Sequence, residues 1–94
     1  MSIYTKTENK NKEKELTTKP YVLILENDDY NTFDWVITCL MDVCKHDHEQ
    51  AHQCALIVHY SGRCDVKYGD KKTITEMKDK LKLAGLCATM EING

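Results

Sequence analysis

Apolar positions are sparse up to residue 20, and from Tyr21 onward two periods take turns along the chain. Tyr21-Val22-Leu23-Ile24-Leu25 follows Pro20 and stops at Glu26-Asn27-Asp28-Asp29. This is a short apolar, β-branched and aromatic run bounded by turn formers, which predicts a buried strand. Phe33, Val36, Ile37, Leu40, Met41 and Cys44 then recur at three- and four-residue spacing and predict an amphipathic helix, with Asn31 as its cap and Asp34 completing a box. A second helix is predicted from Asp47, with Gln50 three residues on. It buries Ala51, Cys54, Ala55 and Val58, and Gly62 is placed to end it in a left-handed conformation. Cys64, Val66 and Tyr68 alternate with Arg63, Asp65 and Lys67 in a half-exposed strand. Thr73 and Glu76 predict the start of a third, short helix through Ile74, Met77, Leu81 and Ala84, closed by Gly85. Finally Leu86, Ala88, Met90 and Ile92 alternate with Cys87, Thr89 and Glu91, a last strand. The order β-α-α-β-α-β predicts an α+β domain: a small three-stranded antiparallel sheet covered on one face by three helices.

Composition divides the chain in two. Residues 1–19 hold five lysines and three glutamates with almost no apolar content, so they cannot offset their ordering entropy and are expected to be a disordered N-terminal extension. Residues 20–94 form the folded domain. With 94 residues and 41% hydrophobic positions, the chain supports one small core and no large enclosed cleft. The net charge is −2, and the extension is basic, which leaves an acidic body. Nucleic acid is thereby excluded as a partner, because phosphates require Lys/Arg stripes. No apolar run approaches the roughly 20 residues of a membrane helix, and Met1 to Pro20 lacks the apolar region of a secretory signal. The five cysteines are odd in number and include no C-x-x-C pair. They are expected as free, buried thiols in a reducing compartment, and the protein as cytoplasmic.

Two constellations carry candidate chemistry. His48-Glu49-Gln50-Ala51-His52 matches H-E-x-x-H, in which two histidines one turn apart hold zinc beside a glutamate base. His48 falls in the first helical turn, a third ligand is missing, and Ala55 and Val58 stand where a metzincin extension would have Gly and His. A zinc peptidase is therefore the lesser alternative, and no cofactor or metal is expected. The second constellation is Asn27-Asp28-Asp29-Tyr30, between the first strand and first helix, together with His59 near the end of the second helix. It reads locally as a turn at a helix start. It also reads as a cation site, because carboxylates, an amide oxygen and a neutral imidazole all accept hydrogen bonds from an ammonium group. Phe33, Val36, Ala55, Val58 and Leu86 are available beside it to line an apolar pocket. Ammonium next to apolar pocket describes the first residue of a peptide.

The same residues resemble a known family, the ClpS adaptors of bacterial AAA+ Clp proteases. Residues 21–30, YVLILENDDY, with Phe33-Asp34-Trp35-Val36-Ile37, are similar to the family's strand–N-D-D–helix segment. Val58-His59-Tyr60-Ser61-Gly62-Arg63 is similar to its V-H-x-x-G-[KR] helix end, and Glu76-Met77-Lys78 to the E-x-K of its third helix. The likeness spans about residues 20–92, in the element order that periodicity predicts independently.

The resemblance implies a monomeric, non-enzymatic adaptor. Such an adaptor binds N-degron substrates beginning with Leu, Phe, Tyr or Trp and delivers them to a ClpA- or ClpC-type unfoldase. By position, Asn27 and His59 would hydrogen-bond the α-amino group. Asp28 would hold it through water and charge, and Asp29 would help to fix the adjoining turn and peptide backbone. Phe33, Ala55, Val58 and Leu86 would line the side-chain pocket, Lys78 would contact the unfoldase, and the N-terminal extension would take part in delivery. An interaction module of the same fold without amine recognition is the alternative. The sequence departs from the family at Ala55 and Phe33, where methionine is frequent, and in a Gly69–Thr73 connection one residue longer than usual. It also lacks a glutamate common near Thr73.

Overall fold

The computed structural model describes residues 20–93; the expected disorder of residues 1–19 lies outside the described residues. Six elements follow Pro20: β1 (Tyr21–Glu26), α1 (Phe33–Val43), α2 (His48–Ser61), β2 (Arg63–Gly69), α3 (Lys71–Leu83) and β3 (Cys87–Ile92). They form the α+β order that the hydrophobic pattern predicts.

β1 is the central strand, antiparallel to both neighbours in the order β2-β1-β3. That explains why its apolar run is unbroken rather than alternating. Leu23 and Leu25 point into the main core with Ile37, Leu40, Ala51, Val58, Ile74, Leu81 and Ala88, while Val22 and Ile24 are buried outside that cluster. The helices cover one face. α1 packs on α2, α2 on β2, and α3 against all three strands and α1.

Helix starts differ from expectation at two places, for one physical reason: several side chains competed to be the cap. Thr32, not Asn31, caps α1, its Oγ1 accepting from the Trp35 N–H at 3.1 Å. Asn31 is held elsewhere. α3 begins at Lys71 and not at Thr73, because the Asp70 carboxylate accepts from the Thr73 N–H at 2.7 Å. An anion is the stronger acceptor and also complements the positive end of the helix. The bond to the Thr73 N–H in turn keeps the Asp70 carboxyl below the ordinary carboxylate range. α3 is thus 13 residues long rather than short. Asp47 caps α2 as predicted, accepting from the Gln50 N–H at 2.8 Å, and Gly62 ends it at φ 95°.

Strand alternation is interrupted by a bulge. Leu23 pairs with Lys67 and Ile24 with Asp65, so Val66 is the additional residue on β2. His46, buried in the α1–α2 connection, lies with Nε2 2.8 Å from the Val66 carbonyl; since a carbonyl only accepts, that nitrogen carries the proton. Tyr68 and Ile92, expected inward, are exposed, and Met41 likewise gives its place in the core to Cys39.

Candidate functional site

The exit of β1 and the end of α2 are joined by one backbone bond: the Asn27 N–H donates to the Gly62 carbonyl at 2.9 Å. Gly62 can sit there because its left-handed conformation turns the chain sharply after α2. The bond draws the Asn27-Asp28-Asp29 turn up beside the last turn of α2, where His59 lies. Between them opens a pocket of about 290 Å³ lined by Asn27, Asp28, Asp29, Asn31, Phe33, Val36, Ala55, Val58 and His59. Polar groups from the β1–α1 turn and His59 share this pocket with apolar side chains from α1 and α2. A recess of about 20 Å³ adjoins it across Asn27, Asp28, Asn31, Val36 and Val58, and Leu86 lines the recess rather than the main pocket.

The residues named from the sequence are therefore brought together, with two qualifications of place. Leu86 stands behind the adjoining recess, and Lys78 lies on α3, outside the pocket lining, with Nζ 3.8 Å from an Asp79 carboxylate oxygen. One lining residue was not assigned to the site from sequence: Asn31. Its signal was its spacing three residues after Asp28, which suits a side chain closing back on the turn.

Asp28 is the most elaborately held group of the site. One carboxylate oxygen accepts from the backbone N–H of Tyr30 at 2.8 Å and of Asn31 at 2.9 Å, and the other from the Asn31 side-chain amide at 2.9 Å. Burial opposes ionisation, but these bonds outweigh it and hold the carboxyl below the ordinary carboxylate range. The pocket thus carries a fixed negative charge at neutral pH.

Aromatic contacts order the opposite side. Phe33 meets His52 edge-on at 5.4 Å between ring centroids and His59 at 6.4 Å, while Tyr60 lies edge-on to His59 at 4.8 Å. His48 and His52 stack at 6.2 Å. Among the described residues no three His, Cys, Asp or Glu side chains are grouped to hold a metal ion, so the H-E-x-x-H match has no third ligand. Among the described residues no helix is long and apolar enough to cross a membrane.

Chemically, the arrangement can hold a small cation through the acceptors at the turn and an apolar group beside it. Comparison with known proteins agrees in kind. A family model described as "ATP-dependent Clp protease adaptor protein ClpS" matches residues 16–89. A curated ClpS adapter from Pectobacterium carotovorum subsp. carotovorum is 40% identical over 57 residues, covering 61% of this chain and 54% of that protein. One from Corynebacterium aurimucosum is 29% identical over 75 residues, 80% of this chain and 68% of that protein. The match thus spans about half the length of the first of these relatives. Among solved structures, Agrobacterium tumefaciens ClpS2 bound to L-phenylalaninamide aligns with a TM-score of 0.70 and 26% identity, over 81% of this chain and 99% of that one.

Proposed function

This chain belongs to the ClpS family of ATP-dependent Clp protease adaptors, which are not enzymes, and on that premise we propose that it binds the first residue of N-degron substrates. The free α-amino group is received by Asn27, Asp28 and His59, with Asp29 fixing the adjoining backbone, and a large hydrophobic side chain enters between Phe33, Val36, Ala55 and Val58, with Leu86 behind. The bound substrate is handed to a ClpA- or ClpC-type unfoldase in the cytoplasm, with Lys78 at the contact and residues 1–19 taking part in delivery. The adaptor acts as a monomer.

The observation that carries this reading is the juxtaposition in one pocket of an ionised carboxylate, amide and imidazole groups, and an apolar wall. L-Phenylalaninamide, the ligand of the Agrobacterium protein, has a free α-amine, a benzyl side chain and no carboxylate, as the first residue of a peptide does. A volume of about 290 Å³ lies at the small end of ligand pockets, which run from about 300 to 1,000 Å³, and suits one residue rather than an extended ligand. Charge-assisted hydrogen bonds of about 1.5–3 kcal/mol each and burial of a Leu side chain for about 1.5–3 kcal/mol stand against an association cost of roughly 4–15 kcal/mol, which makes micromolar affinity attainable at the favourable end and excludes picomolar. Titrating a peptide panel that differs only at position one tests it. Leu, Phe, Tyr and Trp are expected to bind and Ser and Glu to fail; equal binding across the panel would refute the pocket assignment.

A further inference from the structure

We propose that Asn31 is a positioning residue of this site: its side-chain amide fixes the carboxylate of Asp28 toward the incoming ammonium and ties it to the α3–β3 turn. This rests on the amine-binding reading above and adds to it a residue with no assigned role.

The geometry leaves the Asn31 amide one orientation. Nδ2 lies 2.9 Å from an Asp28 carboxylate oxygen and 2.8 Å from the Gly85 carbonyl, so both of its hydrogens are donated to oxygens that can only accept. Turning the amide over would set its own oxygen against both. The bond to Gly85 spans 54 residues of sequence and anchors the loop to a turn whose glycine has φ +93°. With the Asn31 backbone N–H also on Asp28, this one residue supplies two of the three bonds that hold the carboxylate. Asn31 lines both the main pocket and the recess beside it, so the clamp stands at the site itself.

The α3–β3 turn has a second clamp that serves as an internal control. Trp35 Nε1 donates to the Ala84 carbonyl at 3.0 Å and is absent from the pocket lining. If Asn31 merely braces the turn, Trp35→Phe and Asn31→Ala will behave alike. If it acts through Asp28, only Asn31→Ala will change the carboxylate.

The test combines carboxyl-carbon NMR of Asp28 in the free protein with fluorescence anisotropy of a Leu-initiated peptide. Asn31→Ala is expected to raise the midpoint of the Asp28 titration and weaken the peptide roughly tenfold, while Trp35→Phe does neither. In an Asp28→Ala background the Asn31→Ala change should lose most of its effect on binding. Asn31→Asp has the same size, removes the same donors and sets a second carboxylate against Asp28, so it should raise the midpoint further and covers the case that Asn31→Ala does not fold. An unmoved midpoint in a folded Asn31 variant, or an equal movement in Trp35→Phe, would overturn the proposal. The titration needs no ligand, so it decides the role of Asn31 even if the wild type fails to bind the peptide, an outcome that would instead refute the amine-binding reading.

Discussion

Phe33 meets His59 edge-on, with ring centroids 6.4 Å apart and planes at 87°. An apolar wall residue of α1 therefore also borders the imidazole at the pocket's polar side. Phe33→Ala removes wall area and the ring that borders His59. We expect binding of a Leu-initiated peptide to weaken by about 1.5–3 kcal/mol, measured by anisotropy. Phe33 is only half-buried, so the thermal midpoint should fall little.

Asp28→Ala should weaken the same peptide by about 1.5–3 kcal/mol while the circular dichroism spectrum stays that of a folded protein. The pH dependence follows from the direction of the shift. Burial alone would raise the Asp28 carboxyl, and the bonds from Asn31 and Tyr30 more than reverse this, so its folded value lies below the ordinary 3.8. A group with a lowered folded value contributes stability that is fully present above its unfolded value and lost as pH falls through the folded one. The Asp28 contribution should thus persist at pH 5 and disappear only below pH 4, in chemical denaturation compared between wild type and Asp28→Ala.

At Ala55 the pocket wall is a single methyl group, buried in α2. Ala55→Met fills part of the pocket and should penalise β-branched first residues most. The affinity of an Ile-initiated relative to a Leu-initiated peptide is expected to fall by roughly tenfold, about what one or two misplaced methylenes are worth. Competition titrations measure the ratio directly.

Asp47 caps the helix that carries Ala55, Val58 and His59 but lies at its far end. Asp47→Ala should destabilise the fold by about 1 kcal/mol in urea, with peptide affinity unchanged where the protein is folded. Loss of affinity in the folded variant would mean that the far end of α2 sets the site.

All five cysteines are free, four of them buried, and Cys87 is exposed. Burial pushes the Cys44 thiol up to about 11 and Cys64 up to about 12, with the neighbouring Cys54 adding to the latter. Native protein at pH 8 should therefore be alkylated at Cys87 alone, though slowly, since burial and Glu26 raise that thiol too. Mass spectrometry after brief iodoacetamide treatment locates the adduct; modification of Cys64 before Cys87 would contradict the packing.

The elements and most of the pocket were legible because they rest on local pattern. β1 is an unbroken apolar run, α2 has its caps at Asp47 and Gly62 in plain view, and N-D-D with V-H-x-x-G places the two sides of the site. Features set by competition or by distant partners were not. Asn31 and Thr32 are both capable caps of α1, and Asp70 and Thr73 of α3; the first choice goes with Asn31 being engaged by Gly85, far along the chain, and the second with Asp70 being the stronger acceptor. The exposure of Tyr68 accompanies a bulge, and the burial of His46 depends on the bulged Val66 carbonyl, neither of which has a local signature. Cys87 is exposed and not buried like the other cysteines, in keeping with its place on the alternating face of β3 with Thr89 and Glu91.

The central claim is that the acceptors at the β1 exit grip a charged chain start, and one pair of titrations addresses it most directly. A Leu-initiated peptide and its N-acetylated form differ only in the charge and donors of the amine. Micromolar binding of the free peptide with loss of at least tenfold on acetylation is the predicted result; equal affinity for the two would show that the pocket reads the side chain or the backbone and not the amine.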